Sequence, residues 1–367
     1  MINISKPIIG KDEIDAVISV MKSGMIVQGP VTAELEKKFA KYCNAKYAVA
    51  FNSGTAAIHA GLYALGIKKG DEVITSPFTF VATANPILMQ NAKVVFADIS
   101  EEDFNLDPEE VEKKINKKTK AIVPVDLYGQ IYNYDATNKI AKKNKLKILE
   151  DACQAIGAEQ KNKKAGNFGD ISAFSLYATK NIMSGEGGMI TTNDKKLMEK
   201  CKQFRHHGQS EKTCYEYWDI GYNYRTTDIC ASIGLVQLKK VEKLNSARIK
   251  NAKQLSRGLA DIEGVILPKI KPENKHVFHQ YTIRITDDFK KTRDELLAFL
   301  KKNGTICGVY YPKPLHLHPH FAKMGYKEGD FPIAEKIAKE VISLPVHPNL
   351  TEKEINSIIK KIKEFVK

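Results

Sequence analysis

The sequence predicts an α/β fold: a mostly parallel sheet of the seven-stranded type covered by helices, with a smaller C-terminal α+β domain. Three observations predict it. Short apolar runs alternate with helical patterns through the first part of the chain. Near residues 228–262 this alternation gives way to one long helical pattern. The chain has 367 residues, 43% of them hydrophobic, which is enough for a large core and more than one domain.

The elements follow in order. "KYAVAF" (46–51) reads as a strand and "TAAIHAGLYALG" as the helix after it. "EVITS" is a strand and "FVATANPILMQ" a helix; "KVVFAD" is a strand followed by a polar segment. "KAIVPVD" is a strand, "YDATNKIAKKN" a helix and "LKILED" a strand. "DISAFSL" and "GMITTN" add two strands. Strands separated by helices make a parallel sheet covered on both faces, in which ligands gather beyond the carboxyl ends of the strands. The long helix then leads out of a first domain, residues 1–245. A second, residues 246–367, contains the strand "VFHQYTIRIT", the helix "TRDELLAFLKKNG", a Pro/His-rich stretch and two terminal helices.

The formal charge is +14, a field that attracts anions. The lysines are interleaved with Glu, Asp and Ile, as in "KKLMEKCKQF" and "EKEINSIIKKIKEFVK", the pattern of solvated helix faces. Arginine, the better reader of bases and phosphates, occurs six times. The charge therefore argues against nucleic acid as the partner. Cys43, Cys153, Cys201, Cys214, Cys230 and Cys307 form no CxxC pair and read as reduced thiols. No basic-then-apolar leader opens the sequence and no apolar run spans a bilayer, so a cytoplasmic protein without a membrane partner is expected.

Three positions after strands carry chemistry. "NSGT" (52–55) joins a strand to a helix, where glycine permits a tight backbone and free N–H groups suit a phosphate. Asp151, in "LEDACQAIGA", falls at the end of a strand as a helix cap, a metal ligand or a partner for a protonated ring nitrogen. Lys180, in "FSLYATKNIMSGEGGMI", follows an apolar stretch and Ser175 and precedes a glycine-rich turn, where a lowered pKa would make it an imine-forming amine. Phosphate cup, acid and lysine together match the needs of pyridoxal 5′-phosphate (PLP).

These motifs, with "SGMIVQGPVTAELEKKFAKY", "FRHHG", "GYNYRTTDICASIGLVQL", "YYPKPLHLHPHF" and "SLPVHPNLT", resemble the DegT/DnrJ/StrS family of PLP-dependent sugar-nucleotide aminotransferases of fold type I. The resemblance runs almost from end to end. It implies that Lys180 forms the Schiff base with PLP and moves the proton, that Asp151 pairs with the pyridine nitrogen, and that Gln154 contacts the ring oxygen. It further implies that Gly54, Thr55 and Ser175 hold the phosphate, that Phe80 lies against the ring, and that Asn223 reaches the phosphate from a neighbouring subunit of a homodimer. Leu176 and Cys153 depart from the family's common residues without removing a catalytic group. Lys180 itself argues against relatives that carry histidine there and dehydrate.

The implied reaction moves an amino group from L-glutamate to a keto sugar nucleotide. "TKNIMSGEGGM" resembles relatives that aminate carbon 4, leaving UDP, GDP and dTDP open. His316 is expected near the sugar, and Tyr311 is a further candidate substrate contact. Arg225 suits a carboxylate or phosphate clamp, or a structural ion pair. If extended, "HLHPH" would turn His316, His318 and His320 one way as metal ligands; otherwise it is a proline-bent loop. His206 and His207 read as packing or substrate shaping, and Trp218, Tyr215 and Tyr217 as a nucleotide stack, a buried cluster or an interface. The competing functions are a PLP enzyme for another small carbonyl compound and a nonenzymatic regulator or nucleic-acid-binding protein.

Overall fold

A computed structural model describes residues 1–210 and 215–366; Cys214 lies outside the described residues. The strands in chain order are β1 (Tyr47–Phe51), β2 (Glu72–Thr75), β3 (Lys93–Phe96), β4 (Thr119–Val123), β5 (Lys147–Asp151), β6 (Glu159–Gln160), β7 (Lys163–Lys164), β8 (Ile171–Ser175), β9 (Gly188–Thr192), β10 (Val265–Ile266), β11 (Asn274–Lys275), β12 (Tyr281–Ile285) and β13 (Val341–Leu344). Seven of them form the central sheet in the order β1-β9-β8-β5-β4-β2-β3. β9 runs antiparallel to both its neighbours, and the other pairings are parallel.

Side-chain alternation sorts the strand residues onto two cores. Phe51, Val73, Val123, Leu149, Ile171 and Ile190 pack on one face with helix Gly54–Ala64. Their neighbours Ala50, Ile74, Ile122, Ile148 and Met189 pack on the other with Leu35, Phe39 and Leu238. With both faces covered, strands such as β2 and β9 are buried at every position and read as continuous apolar or threonine-rich runs.

The helix Asp228–Leu259 passes from one hydrophobic cluster to another. Its Leu238, Val241 and Leu244 belong to the second sheet face. Ala252, Leu255 and Leu259 belong to a third cluster with Tyr281, Ile283, Ile342, Ile358 and, from the other end of the chain, Ile2. That cluster is organised by the antiparallel sheet β10-β12-β13.

Three local expectations change, and one open alternative is decided. "FVATANPILMQ" is not one helix: a 3-10 turn, Val81–Thr83, precedes a separate short helix, Asn85–Met89, with Pro86 in its first turn. Pro86 has no N–H to donate to the carbonyl four residues back, so the helical ladder cannot run through and the pattern breaks ahead of it. "VFHQYTIRIT" is a strand only over Tyr281–Ile285, because Phe278 takes a positive φ of 47° and turns the lead-in aside. The two terminal helices, Pro332–Glu340 and Glu352–Val366, are separated by β13, which the sequence reading passed over. "HLHPH" is not extended: a 3-10 turn, Leu315–Leu317, buries His316 while His318 and His320 stay exposed.

Candidate active site

The carboxyl ends of β1, β5 and β8 open on one cavity of about 420 Å³. Asp151, the last residue of β5, is 3% exposed on its floor. Its Oδ1 accepts the Cys153 N–H at 3.1 Å and its Oδ2 accepts the Thr83 hydroxyl at 2.7 Å. Lys180 follows β8 in a turn in which its N–H donates to the Tyr177 carbonyl at 2.9 Å. Its side chain lines the same cavity. Loss of water lowers the pKa of its amine, against the upward pull of Cys153 and Asp151.

A cradle lies at the start of helix Gly54–Ala64. Ser53 caps this helix by accepting the Ala56 N–H at 3.1 Å. The first N–H groups of a helix have no partner within it, so those of Gly54 and Thr55 are suited to an anion. Glycine at 54 is required by packing. A Cβ there would lie 2.9 Å from the Ser175 Cβ and 3.1 Å from the Cys153 Sγ. Ser175 lines the cavity beside it.

Gln154 is held at both ends of its amide. Its Oε1 accepts the Tyr128 N–H at 3.0 Å, and its Nε2 donates to the Tyr311 hydroxyl at 3.0 Å. Tyr311 and Tyr128 stack with ring centroids 6.3 Å apart. Phe80 also lines the cavity and is 60% exposed.

Thus Lys180, Asp151, Gln154, Gly54, Thr55, Ser175, Phe80 and Tyr311 meet in one place. His316 and Arg225, expected as substrate contacts, do not line this cavity, and neither does Asn223, expected to act from a neighbouring subunit. His316 is fully buried, its Nε2 2.9 Å from Glu335 and its ring against Phe331. Arg225 puts Nη1 2.5 Å from His206 Nδ1. Asn223 pairs with His206 across a β-bridge, and its carbonyl accepts from Asn52 Nδ2 at 3.4 Å. Trp218 is 65% exposed rather than buried.

Sequence reasoning missed Thr83, Tyr128, His279, Gln280 and Tyr310, all of which line the cavity. His279 sits on a chain of amides. Asn181 gives both hydrogens of Nδ2 away, to Asn245 Oδ1 at 2.7 Å and the Val277 carbonyl at 3.0 Å. Its Oδ1 therefore faces His279 Nδ1, 3.3 Å away, which must carry the hydrogen. Burial, reinforced by Lys180 and Arg248, pushes the His279 pKa well below its usual value and keeps the ring neutral. A polar pair, His279-Gln280, inside an apolar strand pattern was the available signal. Beneath the floor, Glu150 accepts from Gly166 and Phe168 N–H groups and, at 2.5 Å, from Ser172 Oγ. Burial, then Glu150, raises the pKa of neighbouring Asp126 well above the ordinary range, so Asp126 carries the proton.

Residues 7–363 match the DegT/DnrJ/EryC1/StrS aminotransferase family. The chain belongs to that family. Among relatives, it is 38% identical to GDP-perosamine synthase of Caulobacter vibrioides, over 98% of this chain and 96% of the relative. It is 45% identical to a pleiotropic regulatory protein of Geobacillus stearothermophilus, over 97% and 95%. Its fold superposes on DesV of S. venezuelae, solved in complex with a ketimine intermediate, with a TM-score of 0.92 and 34% identity over 97% of this chain and 94% of that one. The chain is a PLP-dependent sugar aminotransferase. The donor set fits that cofactor: a buried carboxylate, an amine with lowered pKa and a glycine-built cradle line one cavity. Among the described residues no helix is long and apolar enough to cross a membrane.

Proposed function

We propose that this aminotransferase takes an amino group from L-glutamate and delivers it to carbon 4 of a 6-deoxy keto sugar attached to a nucleoside diphosphate. The observation that carries the transamination is the convergence of Lys180, Asp151 and the Gly54–Thr55–Ser175 cradle on one cavity, and carbon 4 rests on the likeness of "TKNIMSGEGGM" to relatives that aminate there. Bound there, PLP supplies an aldehyde for amines to condense with and a ring that accepts electrons. Lys180 would be the amine that holds it and, when released, the base that moves the proton; burial lowers the pKa of this amine and so favours its neutral form. Asp151 would pair with the ring nitrogen, Gln154 would meet the ring oxygen and Phe80 would lie against the ring, all three lining the cavity. Gly54, Thr55 and Ser175 bind the phosphate, and Tyr311 lies where substrate enters. His316 and Arg225, expected beside the sugar, are tied in this chain to Glu335 and His206.

The catalytic unit is a homodimer. Asn223 does not line its own chain's cavity, and it serves the phosphate of the partner's site. Exposed Ile14, Ile18, Met21, Trp218 and Ile220 supply apolar surface for such an association. With a division near residue 245, the larger, N-terminal domain carries Lys180, Asp151 and the phosphate cradle, while His279, Gln280, Tyr310 and Tyr311 reach the cavity from the smaller one. The net charge of +14 aids capture of the anionic nucleotide, so association slows as salt rises. The test is incubation with PLP, glutamate and a panel of 4-keto sugar nucleotides carrying UDP, GDP or dTDP, with mass detection of a primary amine. Conversion of glutamate to 2-oxoglutarate with no sugar aminated would reject the sugar-nucleotide substrate and favour another carbonyl acceptor.

A further inference from the structure

We infer that Thr83, itself held by Thr79, is a positioning residue that fixes the carboxylate of Asp151 against the ring nitrogen of PLP. The inference rests on the pairing of Asp151 with that nitrogen proposed above. Thr79, Thr83 and Asp151 are 1%, 2% and 3% exposed, and all three line the cavity.

The direction of the hydrogen bonds follows from chemistry. An ionised carboxylate only accepts, so Thr83 donates its one hydroxyl hydrogen to Asp151 Oδ2 at 2.7 Å. With that hydrogen committed, Thr83 only accepts from Thr79 Oγ1, at 3.0 Å. Asp151 Oδ1 is held separately by the Cys153 N–H at 3.1 Å. One donor on each oxygen removes free rotation of the carboxylate, because turning it breaks both contacts. The lone pairs left over are those facing the cavity.

The backbone is arranged for this. The 3-10 turn Val81–Thr83 is closed by the Thr83 N–H on the Phe80 carbonyl at 3.0 Å. Pro86 in the next helix prevents the two elements from merging. The break that defeats a single-helix prediction therefore presents the Thr83 hydroxyl to β5.

The test uses full-length protein reconstituted with PLP labelled with nitrogen-15 in the ring. Thr83→Val removes the hydroxyl at nearly constant volume, and Thr83→Ser keeps it. Thr83→Val is expected to weaken PLP binding and slow the glutamate half-reaction each about tenfold. It should also move the ring nitrogen-15 resonance, while Thr83→Ser stays near wild type in all three. A Thr83→Val resonance and half-reaction rate equal to wild type would overturn the inference. So would a Thr83→Ser protein as impaired as Thr83→Val, since that would make the methyl group, not the hydroxyl, the useful part. If Thr83→Val does not fold, Thr79→Val is measured instead, with a smaller shift of the same resonance expected and an unmoved one decisive against. Wild-type protein whose ring nitrogen is not protonated would instead reject the role of Asp151, and is read before any variant.

Discussion

The floor and the rim of the cavity are built on opposite plans. On the floor, Asp126, Glu150, Asp151 and Thr83 are polar and nearly inaccessible, and the carboxylate oxygens of Asp151 and Glu150 hold donors from the same chain. At the rim, Phe80 is apolar and 60% exposed, and elsewhere on the surface Trp218 and Ile220 are 65% and 73% exposed. This inverts the ordinary partition, in which acids face water and large apolar groups are covered. Buried acids persist on the floor because each is paired, protonated or hydrogen-bonded. Exposed apolar groups of this kind are what the proposed homodimer would cover.

The strongest way to break the comparison is to disable the floor. Lys180→Ala is expected to lose the visible absorption of bound PLP and to lower transamination by at least about 10³-fold, measured as 2-oxoglutarate release. The rim is tested by mixing. Lys180→Ala and Asn223→Ala, each impaired alone, are co-refolded or co-expressed. About a quarter of wild-type activity should return, because half the dimers are mixed and each of those carries one intact site. No recovery, with mixed dimers demonstrated, would mean that Asn223 acts within its own chain or not at all on the phosphate.

The same contrast explains what the sequence disclosed. Lys180, Asp151 and the Gly54 turn were legible because each is an unusual residue type at the end of an apolar strand. The central sheet was legible because seven strands alternate with spacers, and the buried ones are near-continuous apolar runs. Thr83 was invisible because its value lies in a contact with Asp151, 68 positions away. His279 was hidden by a positive φ at Phe278 that no propensity encodes. His316 looked available because a Pro/His-rich stretch reads as surface, whereas the fold buries the ring on Phe331. The rim was least legible, since an exposed tryptophan and a buried one look alike in sequence.

Smaller effects sharpen the picture of the floor, through stability rather than rate. Asp126 has a raised pKa in the folded chain, from burial and then Glu150. Below the unfolded value of about 3.9 both states hold the proton and the full contribution is present. As pH rises the unfolded chain releases it and the folded one keeps it at growing cost, about 1.4 kcal/mol per unit by which the folded pKa exceeds the unfolded. Asp126→Asn keeps a donor toward Glu150 and removes the titration. The variant should therefore gain on wild type in melting temperature from about pH 4 to pH 8.

His279 has the opposite sign. Its folded pKa is depressed, by burial and then by Lys180 and Arg248, so the neutral ring contributes fully above the unfolded value of about 6.5. As pH falls below that, the unfolded chain takes up a proton that the folded chain refuses, and stability is lost. His279→Asn should therefore gain on wild type as pH drops from 7 toward 5, the reverse of Asp126→Asn. The acid limb of the rate profile should not move, because a ring that stays neutral through this range contributes no ionisation to it. The rate itself should fall a few-fold, since Asn181, next to Lys180, loses the partner on its Oδ1. Melting curves and pH–rate profiles on the same two proteins decide it: an acid limb displaced in His279→Asn would mean that the imidazole titrates in the working site.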